Sequence, residues 1–234
     1  MRVRRVVTTR AGGASTAPYD SFNLGDHVGD EPSSVAVNRK RLASELGLGE
    51  DRLAWMEQVH GRMATIVDGS ETAPAEATDA LVTAEPGLAL VVLVADCVPI
   101  LLSEPEAGVV AAVHAGRVGA RVGVVPAAIE AMVSLGARLD RVEALLGPAI
   151  CGACYEVPAA MAQDVEAHLP GSAGKSRKGT PSIDLRAGLW RQLADLGVGK
   201  IGTDPRCTAE DKTLFSYRRD GTTGRIAGIT WVEA

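Results

Sequence analysis

The feature that most restricts the fold is an unbroken apolar run at residues 88–94, Leu-Ala-Leu-Val-Val-Leu-Val. A strand with one wet face alternates apolar and polar side chains, so a run that is apolar at every position fits a strand covered on both faces. The turn signal Glu85-Pro86-Gly87 separates it from another strand at 80–83. Segments 100–102 and 109–113 form a further strand pair across Pro105-Glu106-Ala107-Gly108. Strands are also expected at 2–9, 63–67, 142–146 and 226–232.

Between these runs the hydrophobic period changes to that of a helix. Ser33 or Ser34 is expected to cap a helix that runs to about Leu46 and is closed by Gly47, with Leu42 and Leu46 on its inner face. Residues 124–135 read as helical, with Pro126 tolerable only in the first turn. Residues 159–168 read the same way and stop before Pro170. Asp184 caps an amphipathic helix at 185–196, with Leu185, Leu189 and Leu196 on one side. Residues 171–180 read as a basic, flexible surface loop. The glycine- and proline-rich stretch 10–30 is long for a connection, which marks it as a candidate wall of an active site. No internal repeat is visible. The expected fold class is α+β, with mixed β-sheets flanked by helices in one domain covering 1–234. Aromatic residues make up only 3% of the 234, so the core must rest on Ala, Val, Leu and Ile.

The formal net charge is -5 with no run of like charges, which argues against a nucleic-acid partner. The most apolar stretch, 88–102, is interrupted by Asp96 and Cys97 well short of a membrane span. The basic N-terminus, Met-Arg-Val-Arg-Arg-Val-Val, lacks the long apolar segment of a signal peptide. A cytoplasmic protein, monomeric or a small homo-oligomer, is the default expectation.

In a reducing compartment the four cysteines, Cys97, Cys151, Cys154 and Cys207, are expected as thiols, ligands or nucleophiles rather than disulfides. Cys151 and Cys154 have the C-x-x-C spacing of a redox pair, although the flanking Pro and Gly favour an incidental spacing. No second C-x-x-C follows, which excludes a zinc ribbon.

Among the four histidines, His60 precedes Gly61 at the end of a segment and His114 ends a buried strand before Ala115-Gly116. Cys97 follows the long apolar run, in Asp96-Cys97-Val98-Pro99. Three strand ends of this kind could converge at one rim. Two imidazoles and a thiolate are good donors for zinc, and three protein ligands leave a fourth position open. Zinc acidifies bound water to roughly pH 7 and so supplies a nucleophile. The separation of the three residues matches no local zinc motif, so a hydrogen-bonded histidine and an apolar cysteine remain an open reading. Copper is the other metal: two His, one Cys and Met56 or Met63 would suit a blue-copper centre. A multicopper oxidase needs a further cluster built almost wholly from histidine, and four histidines cannot furnish it.

The order of the motifs Thr-Thr-Arg-Ala-Gly-Gly-Ala-Ser (8–15), Gln-Val-His-Gly (58–61), Thr-Asp-Ala-Leu-Val-Thr (78–83), Ala-Asp-Cys-Val-Pro (95–99), Val-His-Ala-Gly (113–116) and Ser-Tyr-Arg-Arg-Asp-Gly (216–221) resembles the YfiH-type family. That family is also labelled laccase-domain or polyphenol-oxidase-like and is understood as purine nucleoside phosphorylases. The resemblance implies one zinc ion per chain on His60, Cys97 and His114. It implies phosphorolysis of adenosine, inosine, guanosine and methylthioadenosine to free base and (methylthio)ribose 1-phosphate, with adenosine deaminase activity besides. Purine nucleosides and phosphate are therefore the expected partners. Arg10 and Arg218 or Arg219 are candidates for the phosphate, because a guanidinium pairs with it in a planar fork. Asn23 and Gln58 are candidates for sugar hydroxyls or base edges, and Asp96 is either an acid/base or a strand-end cap.

One departure stands out. The family commonly reads His-Ala-Gly-Trp-Arg-Gly where this chain has His114-Ala115-Gly116-Arg117-Val118-Gly119. Arg117 is a candidate to replace the displaced arginine. Two other readings stay open: a metal-free cysteine hydrolase using Cys97 with His114 as base, a chemistry suited to the peptidoglycan-precursor editing proposed for the family, and a non-catalytic metal- or nucleotide-binding module.

Overall fold

The computed structural model describes residues 1–234. In chain order the elements are β1 (Val3–Val7), α1 (Pro32–Leu46), β2 (Leu53–Ala54), β3 (Ala64–Ile66), β4 (Ala80–Thr83), β5 (Ala89–Val94), β6 (Val98–Glu104), β7 (Val109–Ala115), α2 (Arg117–Val122), α3 (Val124–Ser134), β8 (Glu143–Leu146), α4 (Ala159–His168), β9 (Ala173–Lys175), β10 (Pro181–Ile183), α5 (Leu185–Asp195), β11 (Lys200–Thr203), α6 (Tyr217–Asp220) and β12 (Ile226–Val232). The strands form a four-stranded sheet ordered β1-β12-β5-β2, a six-stranded sheet ordered β11-β8-β6-β7-β4-β3, and the hairpin β9–β10. Both large sheets are mixed: β2 runs parallel to β5, β3 to β4 and β11 to β8, while the other pairs are antiparallel. No helix is long and apolar enough to cross a membrane.

The two sheets stack face to face, and each has helix on its outer face. This four-layer order explains why the central strands are apolar at every position. In β5, Ala89, Val91 and Leu93 pack with Leu42 and Ala43 of α1, whereas Leu90, Val92 and Val94 enter the seam between the sheets. In β7, Val109, Ala111 and Val113 pack with α3, α4 and α5, whereas Val110 and Ala112 face the seam. The helices supply Ala128, Ile129 and Met132 of α3, Val165 of α4 and Leu189 and Leu193 of α5. A period of two along a strand thus sends alternate residues into different cores. By the same count, His114 and Cys97 project toward the end of the seam.

Most expected elements are present with ends shifted by one or two residues. Two expectations need correction. The N-cap of α1 is Glu31, with no side-chain cap, because Pro32 occupies the first turn and moves the start ahead of Ser33. Gly47 closes α1 in the left-handed conformation, and Asp184 caps α5 by accepting from the Ala187 N–H, both as expected. Residues 171–180 are not a free loop: β9 and β10 pair across them, tightened by the Ser176–Thr180 hydroxyl contact at 2.7 Å. Arg218 and Arg219 lie in the short helix α6, which Ser216 caps.

The seam is the part of the core on which site geometry depends. Leu101, fully buried in it, is expected to cost about 2–5 kcal/mol on replacement by Ala. Val37→Ala on the exposed side of α1 should lie within about 0.5 kcal/mol of wild type. Urea denaturation of both variants checks this contrast, and equal midpoints would contradict the layer assignment.

Candidate active site

The connection from β5 to β6 carries the chain from one sheet to the other and holds Asp96 and Cys97. It is tight enough to put Asp96 in a left-handed conformation, φ 92°, which a non-glycine residue adopts only when its surroundings hold it there. Those surroundings are three donors to the Asp96 carboxylate: the Thr208 hydroxyl at 2.5 Å, the Ser216 hydroxyl at 2.7 Å and the Arg218 N–H at 2.6 Å. Asp96 therefore ties the Cys97 turn to the C-terminal segment.

His60 lies on the loop after β2, also left-handed, with φ 59°. Asp79, just before β4 and fully buried, organises that loop. Its two oxygens accept the backbone N–H groups of Val59, His60 and Gly61 at 3.3, 3.0 and 2.6 Å. The same carboxylate meets Nδ1 of His114 at 2.8 Å. Using Nδ1 this way leaves Nε2 of His114 facing Cys97 and His60, the arrangement by which a carboxylate fixes a ligating histidine. The rings of His60 and His114 meet edge to face at 4.7 Å. Gly116 makes the convergence physical, because a Cβ there would come within 2.8 Å of His60 and 3.0 Å of Cys97.

The structure thus brings His60, Cys97 and His114 together: one ligand atom from each lies within 4.8 Å of the others. The Cys97 Sγ–His60 Nε2 distance is 3.8 Å. Tetrahedral zinc bonds place N and S ligands roughly 3.3–3.6 Å apart, so this donor set fits such an ion with little movement. Burial disfavours charge on Cys97, but the His114 and His60 imidazoles outweigh it and bring the thiol down to about 6. Burial also disfavours charge on His114, yet the Cys97 thiolate and the Asp79 carboxylate bring the imidazole up to about 9. Burial would raise Asp79 too, and the His114 hydrogen bond with the Gly61 N–H holds it below the usual carboxylate range instead. Without metal, the cluster at neutral pH is a thiolate–imidazolium pair resting on a carboxylate.

The three side chains line a cavity of about 460 Å³, a size typical of small-molecule sites. Leu93, Val94, Ile150 and Leu185 give it apolar walls, and Arg117, Arg218 and Arg225 give it positive charge. Arg218 is held by donation to the Glu156 carbonyl at 2.9 Å and lies 5.0 Å over the Tyr155 ring. Arg117 opens α2 behind Gly116 and faces the cavity, while its neighbour Val118 is exposed.

The other sequence candidates are placed differently. Gln58 lines the cavity, but its amide is engaged with the Leu93 backbone, donating at 2.7 Å and accepting at 2.8 Å. Asn23 is wholly buried away from the cavity. It accepts from Gly25 and Arg225 N–H groups and donates to Asp30 and the Gly25 carbonyl. Arg10 does not line the cavity either. It donates to the Asp20 carbonyl and stacks 4.7 Å over Phe215, which closes the glycine-rich loop. That loop still reaches the cavity through His27. Arg219 is spent on the carbonyls of Thr208, Asp211 and Leu214. Sequence reasoning missed Asp79, Tyr155 and Arg225. The signals for Asp79 were its place in the Thr-Asp-Ala-Leu-Val-Thr motif and its position directly before an apolar strand.

The chain is similar to known proteins over nearly its whole length. A purine nucleoside phosphorylase of Corynebacterium glutamicum is 60% identical over 98% of this chain and 94% of its own. One from Mycobacterium tuberculosis is 58% identical over 100% of this chain and 93% of its own. Among solved structures, YlmD of Geobacillus stearothermophilus matches with a TM-score of 0.93 at 32% identity, covering 99% of this chain and 92% of that one. A Bacillus licheniformis protein, YfiH, matches at 0.92 and 29%, covering 99% and 93%. Residues 4–233 match the family described as multi-copper polyphenol oxidoreductase laccase, and the chain belongs to that laccase-like, YfiH-type family.

Proposed function

We propose that this chain is a zinc-dependent purine nucleoside phosphorylase. It would cleave adenosine, inosine, guanosine and methylthioadenosine with phosphate to free base and (methylthio)ribose 1-phosphate, with adenosine deamination as a side activity. The observation that carries this reading is the three-donor cluster His60, Cys97 and His114 on a cavity that also presents Arg117, Arg218 and Arg225. The names of the relatives support the phosphorylase part of this reading.

In phosphorolysis a phosphate oxygen bonds to the ribose C1′ carbon. The C1′–N bond breaks, its electron pair stays on the purine, and the base takes up a proton. The chain's task is to hold a dianion against a sugar carbon that becomes electron-poor. Arg218 suits the dianion because the Glu156 carbonyl and the Tyr155 ring fix its guanidinium. Arg117 and Arg225 add positive charge to the cavity lining. Leu93, Val94 and Ile150 offer the purine an apolar, water-poor surface. His60, Cys97 and His114 would hold the zinc, which when bound supplies a fixed positive charge and acidifies water. Copper oxidase chemistry of the laccase type does not suit this chain. Only two of its four histidines belong to the cluster, and His27 pairs with Asp26 while His168 bonds the Asp164 carbonyl.

One observation favours a second reading. Asp79, His114 and Cys97 are linked as carboxylate, base and thiol, the arrangement of a cysteine hydrolase that works without metal.

Four measurements test these readings, and the last separates them. Purified Cys97→Ala should contain one zinc fewer per chain than wild type and should no longer release hypoxanthine from inosine in a phosphate-dependent manner. Full activity in that variant overturns both readings. Asp79→Asn should weaken zinc binding about 10–100-fold, measured by competition with a chelating dye; unchanged affinity would deny Asp79 its role in fixing His114. In metal-free protein, alkylation of Cys97 followed by mass spectrometry should speed up as pH rises through about 6 and then level off, because the thiolate is already formed. A rate that keeps climbing to pH 9 would mark an ordinary thiol. Zinc should suppress the alkylation and chelation should abolish nucleoside cleavage, whereas the hydrolase reading requires activity to survive chelation.

A further inference from the structure

Behind the cavity wall lies a second group of metal-ligating side chains that the proposed reaction does not use. Cys151, Cys154, Cys207 and Glu210 each place one ligand atom within 4.8 Å of all the others. The spacing of Cys151 and Cys154 is that of a metal-binding knuckle, which in a zinc ribbon is matched by a second C-x-x-C. No second one exists here, but residues 207–210 read Cys-Thr-Ala-Glu, the same spacing with a carboxylate in the last place.

The two segments also share a backbone turn. The N–H groups of Cys154 and Tyr155 both donate to the Cys151 carbonyl at 3.0 Å. Those of Glu210 and Asp211 donate to the Cys207 carbonyl at 3.1 and 2.8 Å. Each turn therefore presents its first and fourth side chains to the same side, and an Ala149–Cys207 bridge sets the turns beside each other. The Cys151 N–H points at Cys207 Sγ, 3.4 Å away, as an N–H donor does toward a ligating thiolate. Cys154 Sγ lies 3.3 Å from the Glu210 carboxylate, and Arg177 pairs with that carboxylate from outside. A disulfide would consume two of the three cysteines and leave the third thiol and Glu210 without a role. A tetrahedral ion uses all four donors.

We infer that Cys151, Cys154, Cys207 and Glu210 form a second metal site, closed and structural, for a thiophilic divalent cation of the zinc class. Three thiolates and a carboxylate suit such an ion by softness and by number. They leave no open position for substrate, which separates this site from the three-donor one. Arg177 offsets part of the excess negative charge. The ion would staple two segments that build the cavity wall. Ile150 and Tyr155 flank the first knuckle and line the cavity, and Thr208 in the second holds Asp96.

The test is anaerobic titration of the metal-free full-length chain with cobalt(II), read by its thiolate-to-cobalt charge-transfer absorption, with zinc content as a parallel measure. Wild type should bind two equivalents. Cys97→Ser, which disables the other site, should keep one, with the stronger absorption of three thiolates. Glu210→Gln, a change at an exposed side chain that leaves the core untouched, should weaken that remaining site about tenfold or more. The inference is overturned if Cys97→Ser binds no cobalt tightly, or if Glu210→Gln in that background titrates like its parent. It is equally overturned if the denatured, metal-free Cys97→Ser chain shows one free thiol, not three, since Cys151 and Cys154 would then be a disulfide.

Discussion

The Asp79 carboxylate is the interaction on which the site depends. It is wholly buried, and such a charge is tolerable only when its lone pairs are filled. Three consecutive N–H groups from 59–61 and the His114 imidazole fill them. Each donor serves a second purpose. The N–H groups hold the loop in the turn that brings His60 inward, and the imidazole is fixed with its other nitrogen toward Cys97. One buried charge thus aligns side chains from two distant stretches of chain, and the backbone bond from His114 N–H to the Asp79 carbonyl, 2.7 Å, keeps β7 in register with it.

The third donor depends on the layers. Cys97 sits where the chain leaves one sheet and enters the other, so its position is set by the stacking of the sheets, not by a local motif. The seam is filled by Leu90, Val92, Leu101 and Ala112, side chains of moderate size that let the sheets approach closely. With only 3% aromatic residues, the chain has few side chains that would force them apart. The cavity opens where this filling ends and His114 and Cys97 take over.

Much of this was legible in the sequence, for a physical reason. Strands apolar at every position announce cover on both faces, and 88–94 and 109–113 do so plainly. Helices with strong end signals, such as Asp184 before α5 and Gly47 after α1, were legible with nearly correct ends. The rest was hidden because it depends on contacts distant in sequence. The strands β9 and β10 have three residues each, β9 is exposed throughout while Ser182 and Ile183 of β10 are buried, and neither carries an alternation. Helix α2 has only six residues and no capping side chain. Asn23 looked like a ligand-facing amide because nothing local reveals that its partners are Asp30 and the backbone of Arg225. Cys207 and Glu210 match no two-cysteine motif, and only the fold shows that they lie against Cys151 and Cys154.

The departure at Arg117 illustrates how a sequence difference acquires meaning from an element. Gly116 starts α2, and the first residue of that helix faces the cavity while the second, Val118, faces solvent. The usual family order would therefore turn an aromatic ring inward and a guanidinium outward. Here the order is reversed, so a cation stands inside and an apolar side chain outside. Arg117 joins Arg218 and Arg225 on a cavity whose lining carries one carboxylate, Asp96, so three guanidinium groups face it against a single acidic side chain. In a half-buried site such charge acts through less solvent than at the surface. The exchange therefore places a third guanidinium on the cavity wall and leaves its aromatic lining to Tyr155 and Tyr217.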